Sequence, residues 1–374
     1  MIDVQAPLKV EAGVGLQALA GLEEDWNRLS ESVEPRNAFM TYGWFKAWTR
    51  HGAAAMPEGR FEPHVLVVKR GDAVVGVSPL VRRVASGSGL RVRKLEFATS
   101  HADYNELVLG SDAAAQTDAV AGYLARRAED WDVMELRDLR DTGDAGAGIT
   151  NALKHHGLRF EMFPEGDGCP YLPMDGGAAE QSKRLSGHDR REMRRRSALA
   201  EAEGASMRMI EEPQKEPGLL AKLIELERKK HLRSEFPPFI GRHAEVFQEL
   251  FDELGSRGWL YVAMLEAGEQ PIAFQLGFRC GDLLWDYTKG HDHDYSRLAP
   301  GTLLLAGLLN YGFEEGYREY DFLRGEEPYK LQWSTGCHRR FRLLIWSPRW
   351  GSRLRKLIYH DLKEALRRPK AKLI

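Results

Sequence analysis

A possible anion-binding helix start is the first feature of the sequence with chemical meaning. Arg297, Pro300 and Gly301 directly precede a leucine-rich run in YSRLAPGTLLLAGLL (295–309). Proline suits a first helical turn, because its missing N–H would find no partner there. Glycine lets a ligand approach the backbone, where free N–H groups and the helix dipole attract phosphate. The same residues also fit an ordinary helix start with a solvated arginine. The candidate anion site consists of Arg297, Pro300, Gly301, Thr302 and Leu303.

Acid–base candidates flank this helix. In YDFLRGEEPYKLQW (320–333), Asp321 is predicted at a strand end, where it could deprotonate or orient an amine. Tyr329 could protonate a leaving group, and Lys330 could hold a phosphate or a sugar acid. Asp286, on the strand before the helix, is a second candidate base. The alternatives are a turn residue for Asp321 and a solvated surface lysine for Lys330.

Four further residues are candidates for substrate binding. His101, Asp103 and Tyr104 stand before a strand in SHADYNELVL, although capping and turn roles would also explain them. Tyr287 alternates with Asp286 and so faces the other side of its strand. The neighbouring HDHD run (291–294) lacks a distant set of metal ligands, so we expect a solvated loop and no metal site.

These residues are positioned by a pattern of elements that occurs twice. Each half reads β-hairpin, β, α, β, which is typical of a mixed α/β domain with one crossover. The two hairpins carry glycine at their turns, as hairpins require. The pattern indicates an internal duplication. The paired segments are 64–84 and 260–280 for the hairpins, 90–99 and 282–290 for the next strands, and 131–139 and 317–325 for the last strands.

Length and composition fit two soluble domains. The chain has 374 residues with 43% hydrophobic and 29% charged residues, and its net charge of −2 gives no overall preference for nucleic acid. The three cysteines are far apart and predict reduced thiols. No signal peptide or membrane span is apparent. We expect domains at 1–165 and 166–348, followed by a basic tail at 349–374.

Two basic segments interrupt this balance. Residues 183–196 are rich in arginine and could grip cofactor phosphates, a nucleotide-linked sugar, a regulatory nucleotide or tRNA. The tail, 349–374, places leucines at helical spacing among basic residues. It predicts either an amphipathic helix on an anionic membrane or a helix packed on the protein.

The order of these elements resembles that of GNAT acetyltransferases, which hold the pyrophosphate of acetyl-CoA at such a helix start. Their usual motif, Q/R-x-x-G-x-G/A, is matched here at Arg297, whereas Pro300 and Thr302 replace its glycines. A closer resemblance is to the cellulose-biosynthesis-associated (CelD/BcsL-like) acetyltransferases, which are related to Fem-type transferases. It covers roughly residues 16–347. The matching positions are Pro300, Gly301, Leu303, Leu304, Asp321, Phe322, Gly325, Tyr329 and Lys330.

The resemblance implies tandem GNAT-like domains, each a mixed sheet flanked by helices. It implies an N-acyltransferase that moves an acetyl or other acyl group from acyl-CoA to an amine, such as an amino sugar in exopolysaccharide or envelope glycan assembly. The first half would then serve the acceptor and the second half the acyl-CoA. The alternatives are a Fem-type aminoacyl-tRNA-dependent transferase and a non-catalytic, nucleotide-binding regulator. We expect a bacterial cytoplasmic protein, and the basic tail allows a peripheral contact with the inner face of the cell membrane.

Overall fold

The computed structural model describes residues 6–52, 61–87, 90–107, 110–141, 144–177, 186–231, 238–349 and 351. The strands are β1 (Leu8–Val14), β2 (Phe61–Arg70), β3 (Ala73–Ser78), β4 (Leu80–Gly87), β5 (Leu90–Phe97), β6 (Val133–Arg140), β7 (Arg159–Pro164), β8 (Cys169–Pro173), β9 (Ala205–Ile210), β10 (Leu260–Ala267), β11 (Gln270–Cys280), β12 (Leu283–His291), β13 (Glu319–Asp321), β14 (Gly336–His338) and β15 (Arg340–Trp346). The α-helices are α1 (Leu16–Ala20), α2 (Glu23–Ser32), α3 (Tyr42–Arg50), α4 (Ala113–Arg126), α5 (Asp144–His155), α6 (Gly187–Ala202), α7 (Leu219–His231), α8 (Phe239–Arg242), α9 (Ala244–Leu250), α10 (Pro300–Glu314) and α11 (Pro328–Trp333).

The strands form two mixed sheets. The first has the order β1-β2-β4-β5-β6-β15-β7, and the second has the order β9-β10-β11-β12-β13-β8-β14. β3 and β4 act as one strand interrupted at Pro79, because both pair antiparallel with β2. Among the described strand pairs, only β5–β6 and β12–β13 are parallel. In each of these two pairs, three residues of one strand pair with three residues of the other. The two sheets therefore repeat the same plan.

Taken as the repeats β1–β8 and β9–β15, the two parts of the chain exchange their last strands. β8 follows β7 in sequence but lies in the second sheet, between β13 and β14. β15 follows β14 but lies in the first sheet, between β6 and β7. The exchange is reciprocal, so each sheet contains an interior strand supplied by the other repeat.

The three largest apolar clusters of the described residues hold the sheets and helices together. One lies between the first sheet and helices α4 and α5, and another between the second sheet and α10. A third core fills the seam between the halves, where Phe39 of the first half contacts Phe278 and Trp285 of the second at ring-centre distances of 5.4 and 5.2 Å. Such aromatic pairs bury large apolar areas and prefer these offset contacts.

The mixed α/β architecture with helix-flanked sheets is confirmed. Both hairpins form at the expected glycine turns, and the strand–helix–strand order after them is as expected. The predicted strand 317–325 is shorter, because Leu323 and Gly325 take positive φ values of 55° and 112° that end an extended strand. β15 belongs to the first sheet, although the expected second domain ran to residue 348.

The predicted basic tail, 349–374, lies almost entirely outside the described residues. The structure describes only its residues 349 and 351. Within the described part of the chain, no helix combines the length and apolar character that a membrane crossing requires.

Candidate active site

The candidate cleft lies where two parallel strands of the second sheet stop pairing. β12 and β13 pair only from Leu283 to Trp285 and from Glu319 to Asp321. Just beyond this point, the register between β12 and β11 shifts at Gly277. A side chain at Gly277 would collide with the Trp285 carbonyl and the Tyr261 ring, so this close approach needs glycine. Beyond Trp285, β12 pairs with β11 but no longer with β13.

The predicted anion site lies at the start of α10, directly after β12. Ala299 caps the helix in a left-handed conformation (φ 51°), and Pro300 occupies the first turn. The N–H groups of Thr302 and Leu303 donate to the Ala299 carbonyl at 2.9 and 3.1 Å. A Cβ atom at Gly301 would have only His291 Nδ1 nearby, at 3.9 Å. The backbone at Gly301 is therefore open to a ligand.

Arg297 points to a different partner. Its guanidinium forms a 2.6 Å ion pair with Glu203 at the end of α6, and its side chain is 58% exposed. A bound phosphate would have to compete with this carboxylate for Arg297.

Two lysines lie close to the helix start, and the sequence analysis did not single them out. Lys230 of α7 donates to the Lys289 carbonyl at 3.1 Å. Burial and the charge of Lys289 lower the pKa of Lys230, and burial lowers the pKa of His291 to about 4. An anion beside these amines would relieve their mutual repulsion. The signal in the sequence was only a lysine at the end of an amphipathic helix, which is common on any protein surface.

Asp286, the second candidate base, and Tyr329, the candidate proton donor, lie near each other. Lys289 links them, because its Nζ lies 2.7 Å from Asp286 Oδ2 and 4.3 Å from the Tyr329 ring centre. Burial, followed by the charge of Asp286, raises the pKa of Tyr329, so its hydroxyl stays protonated. This cluster can hold one proton donor and one carboxylate beside the cleft.

Asp321 lies apart from this pair and is fully buried at the seam. Tyr104 Oη donates to Asp321 Oδ2 at 2.7 Å, and the Leu323 N–H donates to Oδ1 at 2.8 Å. Burial raises the pKa of Asp321 to about 6. The two predicted residues Asp321 and Tyr104 thus form a contact between the halves.

Lys330 and Asp103 converge on Arg324, which the sequence analysis also missed. Lys330 Nζ donates to the Arg324 carbonyl at 2.5 Å, and it lies 3.1 Å from Glu327. The Arg324 guanidinium lies 3.0 Å from Asp103 and donates to the Ser100 carbonyl at 3.1 Å. Lys330 therefore supports the loop after β13, and Arg324 connects that loop to the first half.

His101 and Tyr287 meet on the first-half side of the cleft. Tyr287 Oη donates to the His101 carbonyl at 3.1 Å. The His101 ring stacks on Trp48 at 4.8 Å and lies 4.9 Å from Phe239. Burial, assisted by the charges of neighbouring residues, lowers the pKa of His101 to about 4. These rings form an aromatic wall built by both halves.

The HDHD run is engaged with protein groups. Asp292 pairs with Lys229 at 2.6 Å and accepts from the Asp294 N–H at 3.0 Å. His293 Nε2 lies 3.0 Å from the Lys230 carbonyl. The run thus connects the start of α10 to α7.

A protein-family model matches the part of the chain that contains the candidate cleft. Residues 187–331 match the model of the Acetyltransferase (GNAT) domain, and this range holds β12, β13 and the start of α10. No curated protein matches the chain. The cellulose-biosynthesis-associated branch is not singled out by any of these similarities.

Similarity to solved structures extends over nearly the whole chain, at the level of fold. FemX superposes with a TM-score of 0.60 and 12% identity, covering 90% of this chain and 98% of FemX. A conserved protein of unknown function from Bacteroides thetaiotaomicron VPI-5482 gives 0.56 and 11%, covering 88% and 97%. The C-terminal domain (DUF2156) of an Agrobacterium fabrum protein described as a lysylphosphatidylglycerol synthetase gives 0.55 and 12%, covering 90% and 94%.

Proposed function

We propose that this protein is an N-acyltransferase that moves an acyl group, such as acetyl, from acyl-CoA to an amine. The observation that carries the proposal is the open helix start of α10 directly after the separating strands, within the segment that matches the GNAT domain. The backbone at Gly301 and the amine of Lys230 offer the positive groups that a pyrophosphate requires. The acyl-CoA is a co-substrate, and no resident metal takes part in the step.

The chemistry assigns separate roles to the residues of the cleft. The amine nitrogen attacks the thioester carbonyl, its proton passes to a base, and the C–S bond breaks. Asp286 is the candidate base or amine-orienting group, while Tyr329 donates a proton to the departing thiolate. Backbone N–H groups on the β13 side of β12 beyond Trp285 would stabilise the oxyanion, because β13 does not pair with β12 there. The two halves hold the amine and the thioester next to each other, and this positioning supplies the remainder of the rate enhancement.

The acceptor enters from the first-half side, where His101, Asp103 and Tyr287 lie. We propose an amino sugar of exopolysaccharide or envelope glycan assembly, in line with the resemblance at the sequence level. A peripheral location at the inner face of the membrane, through the basic tail, belongs to the same proposal.

A Fem-type aminoacyl-tRNA-dependent transfer is the second candidate. Its supporting observation is α6, on which Arg191, Arg194 and Arg195 are exposed to solvent. The fold likeness to FemX covers both halves. A nucleotide-binding regulator without catalytic activity is the third candidate, and the same titrations test it.

Calorimetric titration of the full chain with acetyl-CoA, aminoacyl-tRNA and a cyclic dinucleotide separates the three candidates. We expect acetyl-CoA to bind and Gly301→Val to weaken binding by about tenfold or more, because the added side chain blocks the helix start. Gly148→Val is the matched control, since Gly148 lies in α5 with open space around its Cβ position. Absence of acetyl-CoA binding, or equal effects of the two variants, would contradict the proposal. Release of free thiol on adding an amino sugar then tests the acceptor.

A further inference from the structure

Two carboxylates and an imidazole converge at the seam between the halves, away from the Asp286–Tyr329 pair. His338 Nε2 lies 3.0 Å from Glu319 Oε1 and 4.0 Å from Asp321 Oδ2. One ligand atom from each of the three residues falls within 4.8 Å of the others. Glu319 and Asp321 are buried, and His338 is partly exposed. These are the side chains from which proteins build sites for divalent transition ions.

The three side chains are held by rigid elements. Glu319 and Asp321 lie on the same face of β13, two residues apart, and His338 reaches across β8 from β14. The His338 ring stacks on Tyr171 at 4.1 Å with an interplanar angle of 12°. Tyr104 of the first half donates to Asp321 Oδ2 and orients that carboxylate. Groups that bond to the ligands in this way are typical of metal sites.

The contacts of His338 Nε2 conflict with one another. This nitrogen lies 3.0 Å from a carboxylate oxygen of Glu319 and 2.9 Å from Arg140 Nη2, which is always a donor. If Nε2 accepts a hydrogen bond from Arg140, it carries no proton. No hydrogen then lies between Nε2 and the Glu319 carboxylate. If Nε2 donates to Glu319, its hydrogen faces the Arg140 N–H. A cation bound jointly by Nε2 and the carboxylate removes this conflict.

An ion can reach the site, and the charges favour it. A cavity of about 690 Å³ between the halves is lined by Arg140, Glu319 and His338. The Arg140 guanidinium otherwise rests on the Tyr104 ring, 4.7 Å from its centre, and can turn into this cavity. A divalent ion in its place would neutralise both carboxylates, whereas one guanidinium neutralises one.

We propose that Glu319, Asp321 and His338 bind one divalent first-row transition ion, with Zn²⁺ and Co²⁺ as probes. One imidazole nitrogen and two carboxylate oxygens suit such ions better than Ca²⁺ or Mg²⁺, which prefer all-oxygen sites. Because Tyr104 holds Asp321, the ion would fasten the second sheet to the first half. This proposal is independent of the acyl transfer.

The test is titration of the metal-stripped full chain with Zn²⁺ by calorimetry and with Co²⁺ by its visible absorption. We expect one ion per chain, and a loss of affinity of roughly tenfold or more in His338→Ala and Glu319→Gln. Arg140→Met is expected to tighten binding, because it removes the competing cation. His155→Ala is the matched control, since Asp118, His155 and His156 form the other potential ligand cluster among the described residues.

Thermal unfolding supplies a readout that does not require every variant to fold well. Zn²⁺ should raise the Tm of the wild type and of His155→Ala, and should leave Glu319→Gln unchanged, because only a native-state ligand stabilises. The proposal is overturned if the wild type binds neither Zn²⁺ nor Co²⁺ at ion concentrations up to the high micromolar range. It is also overturned if binding survives His338→Ala or disappears in His155→Ala.

Discussion

Replacing Arg340 should destabilise the protein strongly, and the effect should depend on pH. The Arg340 guanidinium pairs with Asp138 and donates to the Asp167 carbonyl at 2.7 Å, and both side chains of the pair are almost fully buried. Arg340→Met leaves the Asp138 carboxylate with Arg324, 3.7 Å away, as its remaining cation. Removing one partner of a buried pair costs about 3–5 kcal/mol, and we expect this loss at pH 7.5.

The pH dependence follows from the state of Asp138. Burial already raises its pKa to about 6, and losing Arg340 would raise this pKa further. The native state then binds a proton at a pH where the unfolded chain does not, so the variant gains stability as the pH falls. For each further unit by which the native pKa of Asp138 rises, the variant recovers about 1.4 kcal/mol of stability at low pH. We therefore expect the cost of Arg340→Met to fall to roughly half at pH 5.

Urea unfolding at pH 7.5 and pH 5 measures both values. The double variant Arg340→Met with Asp138→Asn should recover most of the loss, because no unpaired buried charge remains. Arg318→Met is the matched control. Its pair with Asp282 has side chains 61% and 51% exposed, and such surface pairs contribute about 0–1 kcal/mol. A cost below about 1 kcal/mol at pH 7.5, or the same cost at both pH values, would refute this reasoning.

Three other substitutions test the site and its surroundings. Tyr329→Phe should lower kcat about 100-fold while acyl-CoA binds with unchanged affinity, as steady-state kinetics and calorimetry would show; an unchanged kcat would remove Tyr329 from the chemistry. His101→Phe should lessen the loss of stability between pH 6.5 and pH 4 by up to about 3 kcal/mol, because the low pKa of His101 lets only the unfolded chain take up that proton. Parallel urea midpoints for both proteins in this pH range would speak against it. Gly277→Ala should cost about 1–3 kcal/mol, since its methyl group meets the Trp285 carbonyl and the Tyr261 ring. A variant as stable as the wild type would show that the backbone at the register shift near Gly277 can relax.

The elements around the cleft could be predicted from local sequence. The glycine turns at Gly71 and Gly268, and the alternation in the hairpins, define the two repeats. Pro300 and Gly301 mark the start of α10, and the structure places them at that start. Local signals of this kind depend on neighbouring residues alone, and they do not depend on how the halves meet.

The partners across the seam could not be predicted in this way. Asp321 contacts Tyr104, 217 positions earlier in the chain, and Arg140 contacts His338. Arg324 stands in a plain loop sequence, although it joins the two halves. The exchange of β8 and β15 was also missed, because a short strand has the same composition whichever sheet it completes.

The reciprocal strand exchange gives a single chain the arrangement of a strand-swapped dimer. Neither repeat is a module that can be excised, since a cut between β8 and α6 would take β15 from the first sheet and β8 from the second. Each fragment would expose unpaired strand edges where interior ladders now run, and such edges invite aggregation. The second repeat expressed alone would therefore be a poor substitute for the full chain. Any ancestor with one repeat would have completed its sheet only by pairing with a second copy.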